Sequence, residues 1–265
     1  MAKMLSEPER IQLEKYRYKS GLEQSFPVAE LLDESFLKDF LKSLSDTLGA
    51  PNEKITASIF IKRYAFLAVM SLYAMTAWNK QLDVSLDNVL MEKAESGENW
   101  LPAFSLKDAT VKDLDPNENR SEWRKLVLKD LFANHIYPII AKLEKSFGIS
   151  KLILWENIAV YLFWLYESEL KDSENDNVTD DFRFLLFEAE GQLFGANNLN
   201  PLQKYFSEKM YLPERDEEVR IRKTCCFSYQ LPAGKRCKTC PCTHLAKDGV
   251  CHDGENICSE VRRFA

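Results

Sequence analysis

The sequence predicts a mainly α protein of the α+β class, in which a helix-rich body is followed by a short cysteine-rich segment. Apolar residues recur at helical spacing over most of the first 210 residues, and strand-like alternation is confined to short stretches. All seven cysteines lie between Cys225 and Cys258. With 265 residues, of which 45% are hydrophobic, the chain can bury a core without disulfide bonds. We therefore place the body at residues 1–215 and the segment at residues 216–265.

Helices account for most of the predicted body. Gly49 and Pro51 should end the first, and Gly148 should end the long helix that Ser121 begins. The stretch after the fourth helix, residues 172–181, is predicted to be a solvated acidic loop. Apolar spacing predicts helices at residues 27–51, 54–79, 121–147, 150–170, 180–194 and 202–210.

Strands are predicted in two places. Alternation at Leu82, Val84 and Leu86 predicts two or three short strands within residues 81–107, which together form a small antiparallel sheet. A second alternation, with Val219 and Ile221 on one side, predicts a strand that leads into Cys225. The first residues of the chain are predicted to be a polar arm.

No membrane-spanning segment is expected. The N-terminus has charges where a signal peptide needs an apolar run. The two most apolar stretches, residues 57–78 and 149–166, are each interrupted by charged residues, so we predict buried core helices. This pattern favours a cytoplasmic protein, either free or peripheral at the inner face of the membrane.

Charge is unevenly distributed along the chain. From Arg220 onward there are nine Lys or Arg and four Asp or Glu, while the whole chain has a net charge of −6. Such a basic segment on an acidic body could bind an anion, an acidic protein or nucleic acid, or it could simply offset thiolate charge. The candidate docking residues for a substrate or an electron donor are Arg220, Arg222, Lys223, Lys235, Arg236 and Lys238.

The cysteine spacing predicts a metal centre. In a reducing compartment, clustered cysteines more often hold a metal than form disulfides, and Cys237-Lys-Thr-Cys240 is a common way to present two thiolates to a metal. The adjacent Cys225 and Cys226 point to opposite sides of an extended backbone, which suits a binuclear cluster better than one small ion. Spacing alone leaves both zinc and an iron-sulfur cluster open.

The pattern Cys-Cys-x10-Cys-x2-Cys resembles the C-terminal signature of ferric siderophore reductases of the ferrioxamine/ferrichrome reductase type. Tyr229, Leu231-Pro232 and the Pro after Cys240 fall in the order expected for that family. The resemblance is weaker over residues 55–215, and it implies a helical body like that of siderophore synthetases, which would bind the siderophore. It implies a 2Fe-2S cluster on Cys225, Cys226, Cys237 and Cys240.

The activity implied by this resemblance is reduction of Fe(III) bound to a hydroxamate or citrate-hydroxamate siderophore, with no catalytic residue beyond the cluster. No nicotinamide or flavin fingerprint is visible, so we expect an external donor such as a flavodoxin, a ferredoxin or a flavin reductase. The acidic body argues against nucleic acid as a partner. A zinc-binding interaction module and an iron-sulfur sensor without reductase activity are the alternative functions.

The sequence departs from the family pattern after Cys240. A further tail contains Cys242, Cys251, His252 and Cys258, in addition to His244. Cys242 could replace Cys240 as a ligand, or the last three thiols could hold a separate zinc with one of the two histidines. The sequence does not decide between these ligand sets.

Overall fold

The computed structural model describes residues 2–93 and 100–244. Its fold is helix-rich, with three small antiparallel sheets, as the α+β prediction requires. The helices are α1 Glu7–Glu14, α2 Glu34–Leu48, α3 Glu53–Tyr64, α4 Phe66–Trp78, α5 Arg120–Leu131, α6 Tyr137–Phe147, α7 Lys151–Trp164, α8 Asn177–Arg183 and α9 Pro241–His244.

The strands are short, and most of them border the helical core. They are β1 Ala2–Met4, β2 Ser25–Pro27, β3 Lys80–Leu82, β4 Val89–Glu92, β5 Phe104–Leu106, β6 Thr110–Asp113, β7 Met210–Leu212 and β8 Glu217–Val219. The sheet orders are β1-β6-β3, β2-β4-β5 and β7-β8, and every pairing is antiparallel. The N-terminal region therefore forms β1, α1 and β2, so the prediction of a polar arm is wrong.

Several helix boundaries follow from local chemistry. Asp33 caps α2 by accepting a hydrogen bond from the Phe36 amide at 2.8 Å, and Gly49 ends it in the left-handed conformation at φ 60°. The predicted helix over residues 54–79 is two helices, α3 and α4, which meet at Ala65. The predicted helix over residues 121–147 begins at the cap residue Asn119 and is divided into α5 and α6 by a π-helical turn.

One helix prediction is wrong. Within residues 202–210 only a short 3₁₀ turn, Gln203–Tyr205, forms, and the chain then enters β7. Pairing of β7 with β8 buries Leu212 and Val219 together with Ile221 in a small apolar cluster of their own. The apolar residues Leu202 and Tyr205 of this stretch are buried in the main core without forming a helix, because the turn alone brings both side chains to it.

The centre of the core is built from α3, α4 and α7, whose side chains are buried on several faces. The run Glu53–Trp78 has the length and composition of a membrane span, but 83% of its most apolar window is buried inside the protein. This confirms the prediction of a core helix region. His135 also lies in the core, where its Nδ1 bonds the Val84 carbonyl at 2.5 Å and its Nε2 accepts from the Tyr64 hydroxyl.

The acidic stretch at residues 172–181 is not wholly a solvated loop. Asp181 lies in α8 and is fully buried, so that part of the prediction is wrong. Its carboxylate accepts two hydrogen bonds from Arg120, at 2.7 and 2.8 Å, one from Arg124 at 2.8 Å and one from Thr76 at 2.9 Å. A buried carboxylate is tolerated here because its oxygens are satisfied by two cations and a hydroxyl.

Candidate metal centre

Four free cysteines converge where the C-terminal segment meets the helical body. Cys225 and Cys226 follow the β7-β8 hairpin, and Cys237 and Cys240 lie in the loop before α9. The Cys225 side chain contacts that of Cys240, and the Cys226 side chain contacts that of Cys237. Cys237 and Cys240 also contact each other. The structure therefore brings together the four sulfurs that the sequence singles out.

The adjacent cysteines reach different partners because the backbone turns immediately after them. Phe227 adopts the left-handed conformation at φ 61°, which is uncommon for a bulky residue. Its amide N–H points back and donates to the Cys225 sulfur at 3.4 Å. The neighbouring Cys225 and Cys226 thiols are thereby presented to opposite ends of the Cys237–Cys240 turn, as a binuclear cluster requires.

The loop between the two cysteine pairs, residues 227–236, is tightly folded. A Cβ on Gly234 would lie 2.1 Å from the Ser228 carbonyl oxygen, so only glycine fits that position. The loop also rests on the body, since a Cβ on Gly49 at the end of α2 would meet Pro232 at 2.7 Å. Close contacts on both sides fix the path by which the chain returns to Cys237.

Each of the four sulfurs has a hydrogen-bond donor beside it, in addition to its cysteine neighbours. Lys62 Nζ lies 3.6 Å from Cys226 Sγ, and Arg236 Nη1 lies 3.9 Å from Cys240 Sγ. The Thr239 hydroxyl is 3.9 Å from Cys237 Sγ, and Phe227 N–H serves Cys225. Donors and cations around sulfur stabilise thiolates and the reduced form of an iron-sulfur centre.

The thiols divide into proton donors and proton acceptors. The contact with Cys237, supported by Arg222 and Lys62, holds the pKa of Cys226 well below its usual range. Contacts with Cys225 and Cys237 likewise lower the pKa of Cys240, whereas donation to these acceptors raises the pKa of Cys225 and of Cys237. Metal binding replaces such shared protons, so this donor set fits a cluster.

The structure gives Cys242 a different status from the other described cysteines. Its sulfur lies within 4.8 Å of those of Cys225 and Cys240, but it is disulfide-bonded and not a free thiol. His244 Nε2 lies 2.8 Å from the Lys238 carbonyl and must therefore carry the proton. The remaining candidates for a second metal site, Cys251, His252 and Cys258, fall outside the described residues.

A buried carboxylate on α7 fastens the segment to the body. Glu156 accepts hydrogen bonds from the Lys223 amide at 2.6 Å, from the Thr224 amide at 2.7 Å and from the Thr224 hydroxyl. Arg222 Nε lies 3.7 Å from the same carboxylate. These contacts anchor the two residues that immediately precede the cysteine pair.

The next residue on α7 extends this anchor to α3. Asn157 accepts a bond from Arg222 Nη2 at 2.6 Å and donates to the hydroxyl of Ser58 at 2.9 Å. Ser58 in turn donates to the Cys226 carbonyl at 3.0 Å. Glu156 is not among the predicted site residues, although an Asn following a Glu inside an apolar helix is the signal that could have revealed it.

The predicted basic residues occupy three different environments. Arg222 is 3% exposed and faces the cysteines, so its guanidinium cannot meet a docking partner at the surface. Arg220 is half-buried, pairs with Glu167 at 2.6 Å and stacks on Phe206 at 3.9 Å. Lys223 is half-buried, and the exposed members of the set are Lys235, Arg236 and Lys238.

Two cavities flank the cysteines. One, of about 200 Å³, lies between α7 and β8 and is lined by three carboxylates and four cations. The other, of about 260 Å³, lies between the body and the loop at residues 228–235, and no acidic residue lines it. We call this second cavity the basic cleft. Its cationic residues are Arg17, Lys62, Arg63 and Lys235.

Comparison with known families identifies the body and the segment separately. Residues 58–217 match the family described as ferric iron reductase FhuF-like transporter. The chain belongs to this FhuF-like family. Residues 222–241 match the FhuF 2Fe-2S C-terminal domain, and this range contains the four free cysteines but not Cys242. The cofactor of the segment is therefore a 2Fe-2S cluster, as the resemblance implied.

Two individual proteins are similar to this FhuF-like chain. A curated relative, the ferric siderophore reductase of Escherichia coli (strain K12), is 25% identical over 187 residues, which are 69% of this chain and 64% of the relative. The solved structure of aerobactin synthetase IucA from a hypervirulent pathotype of Klebsiella pneumoniae aligns with 67% of this chain and 37% of its own. That alignment has 14% identity and a TM-score of 0.50. It confirms the predicted likeness of the body's fold to siderophore synthetases.

Proposed function

We propose that this protein is a ferric siderophore reductase, whose 2Fe-2S cluster is held by Cys225, Cys226, Cys237 and Cys240. The observation that carries the proposal is the convergence of four free thiols, each with its own hydrogen-bond donor, within the part of the chain that matches a 2Fe-2S domain. The E. coli relative is named for the same activity. Residues 1–215 would bind the siderophore, and residues 216–265 would carry the cluster.

The chemistry needs one electron for each iron. When bound, the cluster supplies a one-electron carrier. Siderophore oxygens hold Fe(III) tightly because both are hard, and they hold Fe(II) much less strongly. Transfer of one electron to the chelated Fe(III) gives Fe(II), which leaves the siderophore in the cytoplasm. An external donor then supplies the next electron, so that each turnover oxidises one donor equivalent.

The residues around the sulfurs would set how readily this electron moves. Lys62, Arg222 and Arg236 place positive charge beside the ligands, which favours the reduced and more negative state and raises the potential. The exposed Arg236 and Lys238 would attract an acidic donor such as a flavodoxin, a ferredoxin or a flavin reductase. We place the protein in the cytoplasm, free or peripheral at the membrane.

The test is a single-turnover experiment on protein prepared without air. Iron, sulfide and zinc per chain are measured first, beside the visible spectrum, and two irons with two sulfides are expected. The cluster is then reduced, and a ferric citrate-hydroxamate is added with a ferrous trap. The proposal predicts reoxidation of the cluster together with one trapped Fe(II) per cluster. A colourless zinc protein, or a reduced cluster that gives no electron to the chelate, would refute it.

A further inference from the structure

The basic cleft concentrates positive charge that the protein itself does not neutralise. Among the described residues, no carboxylate pairs with any of its four cations, and Lys62 faces the Cys226 sulfur at 3.6 Å. The Arg17 guanidinium donates to the Arg63 carbonyl at 3.5 Å and lies over the face of Phe66 at 4.0 Å, and Arg63 donates to the Trp100 carbonyl. Partly buried guanidiniums normally pair with carboxylates, so the cleft is suited to an anion brought by a ligand.

The backbone after α1 fixes the position of Arg17 in the basic cleft. Arg17 itself adopts the left-handed conformation at φ 71°, which costs free energy in a residue other than glycine. Its carbonyl accepts from the Phe104 amide at 2.8 Å, so the surrounding strands hold it in that state. Burial also lowers the pKa of Arg17 and of Arg63, as expected for cations without a counter-charge.

The cleft opens directly beside the cysteines. Lys62 and Ser228 both line it, and each contacts the Cys226 sulfur, at 3.6 and 3.1 Å. Only the side chains of Lys62 and Ser228 therefore lie between a molecule bound in the cleft and Cys226, a proposed cluster ligand. Leu48, Ile59 and Tyr161 provide apolar and aromatic walls, which suit the carbon backbone of a chelator.

The cavity between α7 and β8 does not favour an anion in the same way. Three of its lining residues are carboxylates, and two of these, Glu156 and Glu167, already pair with Arg222 and Arg220. Its charges are thus largely satisfied within the protein. Size also favours a small molecule in the basic cleft, because a concave space of about 260 Å³ receives one edge of a chelate better than it receives a protein surface.

We propose that the basic cleft is the siderophore-binding site, and that it selects ferric chelates with free carboxylate groups over uncharged ferric hydroxamates. The proposal deepens the proposed function and rests on it for the fate of the bound iron. Arg63 and Lys235 would contact the carboxylates, and the metal end of the chelate would lie toward Lys62 and Ser228.

Binding without electron transfer tests this assignment, because Ga(III) has the charge of Fe(III) and is not reduced. Two gallium chelates, one of a citrate-dihydroxamate with a free carboxylate and one of an uncharged trihydroxamate, are titrated into the cluster-loaded protein by calorimetry. The carboxylate chelate should bind more tightly and should weaken as salt is raised from low to moderate concentration. Arg63→Gln and Lys235→Gln should each weaken binding of the carboxylate chelate about 10-fold. Affinity for the trihydroxamate chelate should stay within about 2-fold of the wild-type value.

Two matched control variants make the outcome decisive. Arg63→Lys should restore most of the affinity, and Lys107→Gln, an equal charge change at an exposed lysine outside the cleft, should have no effect. Lys235 is exposed, so its substitution remains informative even if Arg63→Gln disturbs folding. Equal affinity of the wild-type protein for both chelates would overturn the proposal. So would unchanged affinity for the carboxylate chelate in both Arg63→Gln and Lys235→Gln.

Two further outcomes separate this inference from others. Variants that bind both chelates normally but slow reduction of the cluster by an acidic donor protein would show a donor-docking surface and would refute the chelate assignment. If the gallium pattern is found but the reduced cluster never reduces a ferric chelate, the binding site stands and the reductase activity fails.

Discussion

Glu156→Gln should loosen the cysteine segment from the helical body. The glutamate side chain is 2% exposed, and its two oxygens accept three hydrogen bonds from residues 223 and 224. Glutamine has the same shape but only one acceptor oxygen. In either orientation its NH₂ group faces an amide N–H, and Arg222 loses its carboxylate neighbour while remaining buried.

The magnitude follows from these contacts. A hydrogen bond to a charged acceptor contributes about 1.5–3 kcal/mol, and removing one partner of a buried ion pair costs about 3–5 kcal/mol. The two effects overlap in the same carboxylate, so we expect a loss of about 3–5 kcal/mol. With an m value of about 2–3 kcal/mol/M, the urea midpoint of the affected unit should fall by about 1–2.5 M.

The assay follows two signals in anaerobic urea titrations of the cluster-loaded protein. Cluster absorbance reports the segment, and tryptophan fluorescence is dominated by the body. In Glu156→Gln the cluster signal should be lost first, because the broken contacts lie next to Cys225. Glu144→Gln is the matched control, since its carboxylate is 42% exposed and pairs with Lys151 within the body, so it should cost about 1 kcal/mol or less. If both variants lose the cluster at the wild-type urea concentration, the anchoring role of Glu156 is refuted.

Three other predictions test the core and the cluster. Burial lowers the pKa of His135 to about 4, so the neutral ring supports the fold above pH 6.5. As pH falls from 6.5 toward 4, up to about 3 kcal/mol of stability should be lost. In denaturation curves of the apo-protein, His135→Phe should remove this part of the pH dependence of stability. Lys62→Met removes a charge 3.6 Å from a sulfur, and after sharing over the cluster and solvent screening the potential should drop by about 40–90 mV in a redox titration. Cys226→Ser should abolish normal cluster assembly, whereas Cys258→Ser should leave two irons per chain by metal analysis; equal losses in the two would contradict the proposed ligand set.

The cysteine pattern illustrates what could be predicted from local sequence. Consecutive thiols followed by a Cys-x-x-Cys turn impose a geometry that suits few metal centres, and the family matches confirmed the 2Fe-2S cofactor. Helices α2, α6 and α7 were also predictable, because their caps and their apolar spacing are encoded within a few residues.

The strands of the N-terminal region and the β7-β8 hairpin were not predictable to the same degree. Each of these strands has three residues; the N-terminal strands pair with residues far away in the sequence, as Ala2 does with Lys112, whereas β7 pairs with β8 a few residues later. A strand of three residues is too short to show a clear alternating pattern, so whether it forms depends on the strand it pairs with. The same limit explains why residues 202–210 were predicted to be helical.

The sequence by itself determined that the C-terminal segment offers a thiolate metal site, because thiolate identity and spacing are local properties that no distant contact changes. Only the tertiary structure decided the surroundings of that chemistry. It buried Arg222 against Glu156, and it joined Arg17, Lys62, Arg63 and Lys235 into one cleft. These residues come from segments that are far apart along the chain, and the electrostatic field they share depends on distances that exist only after folding.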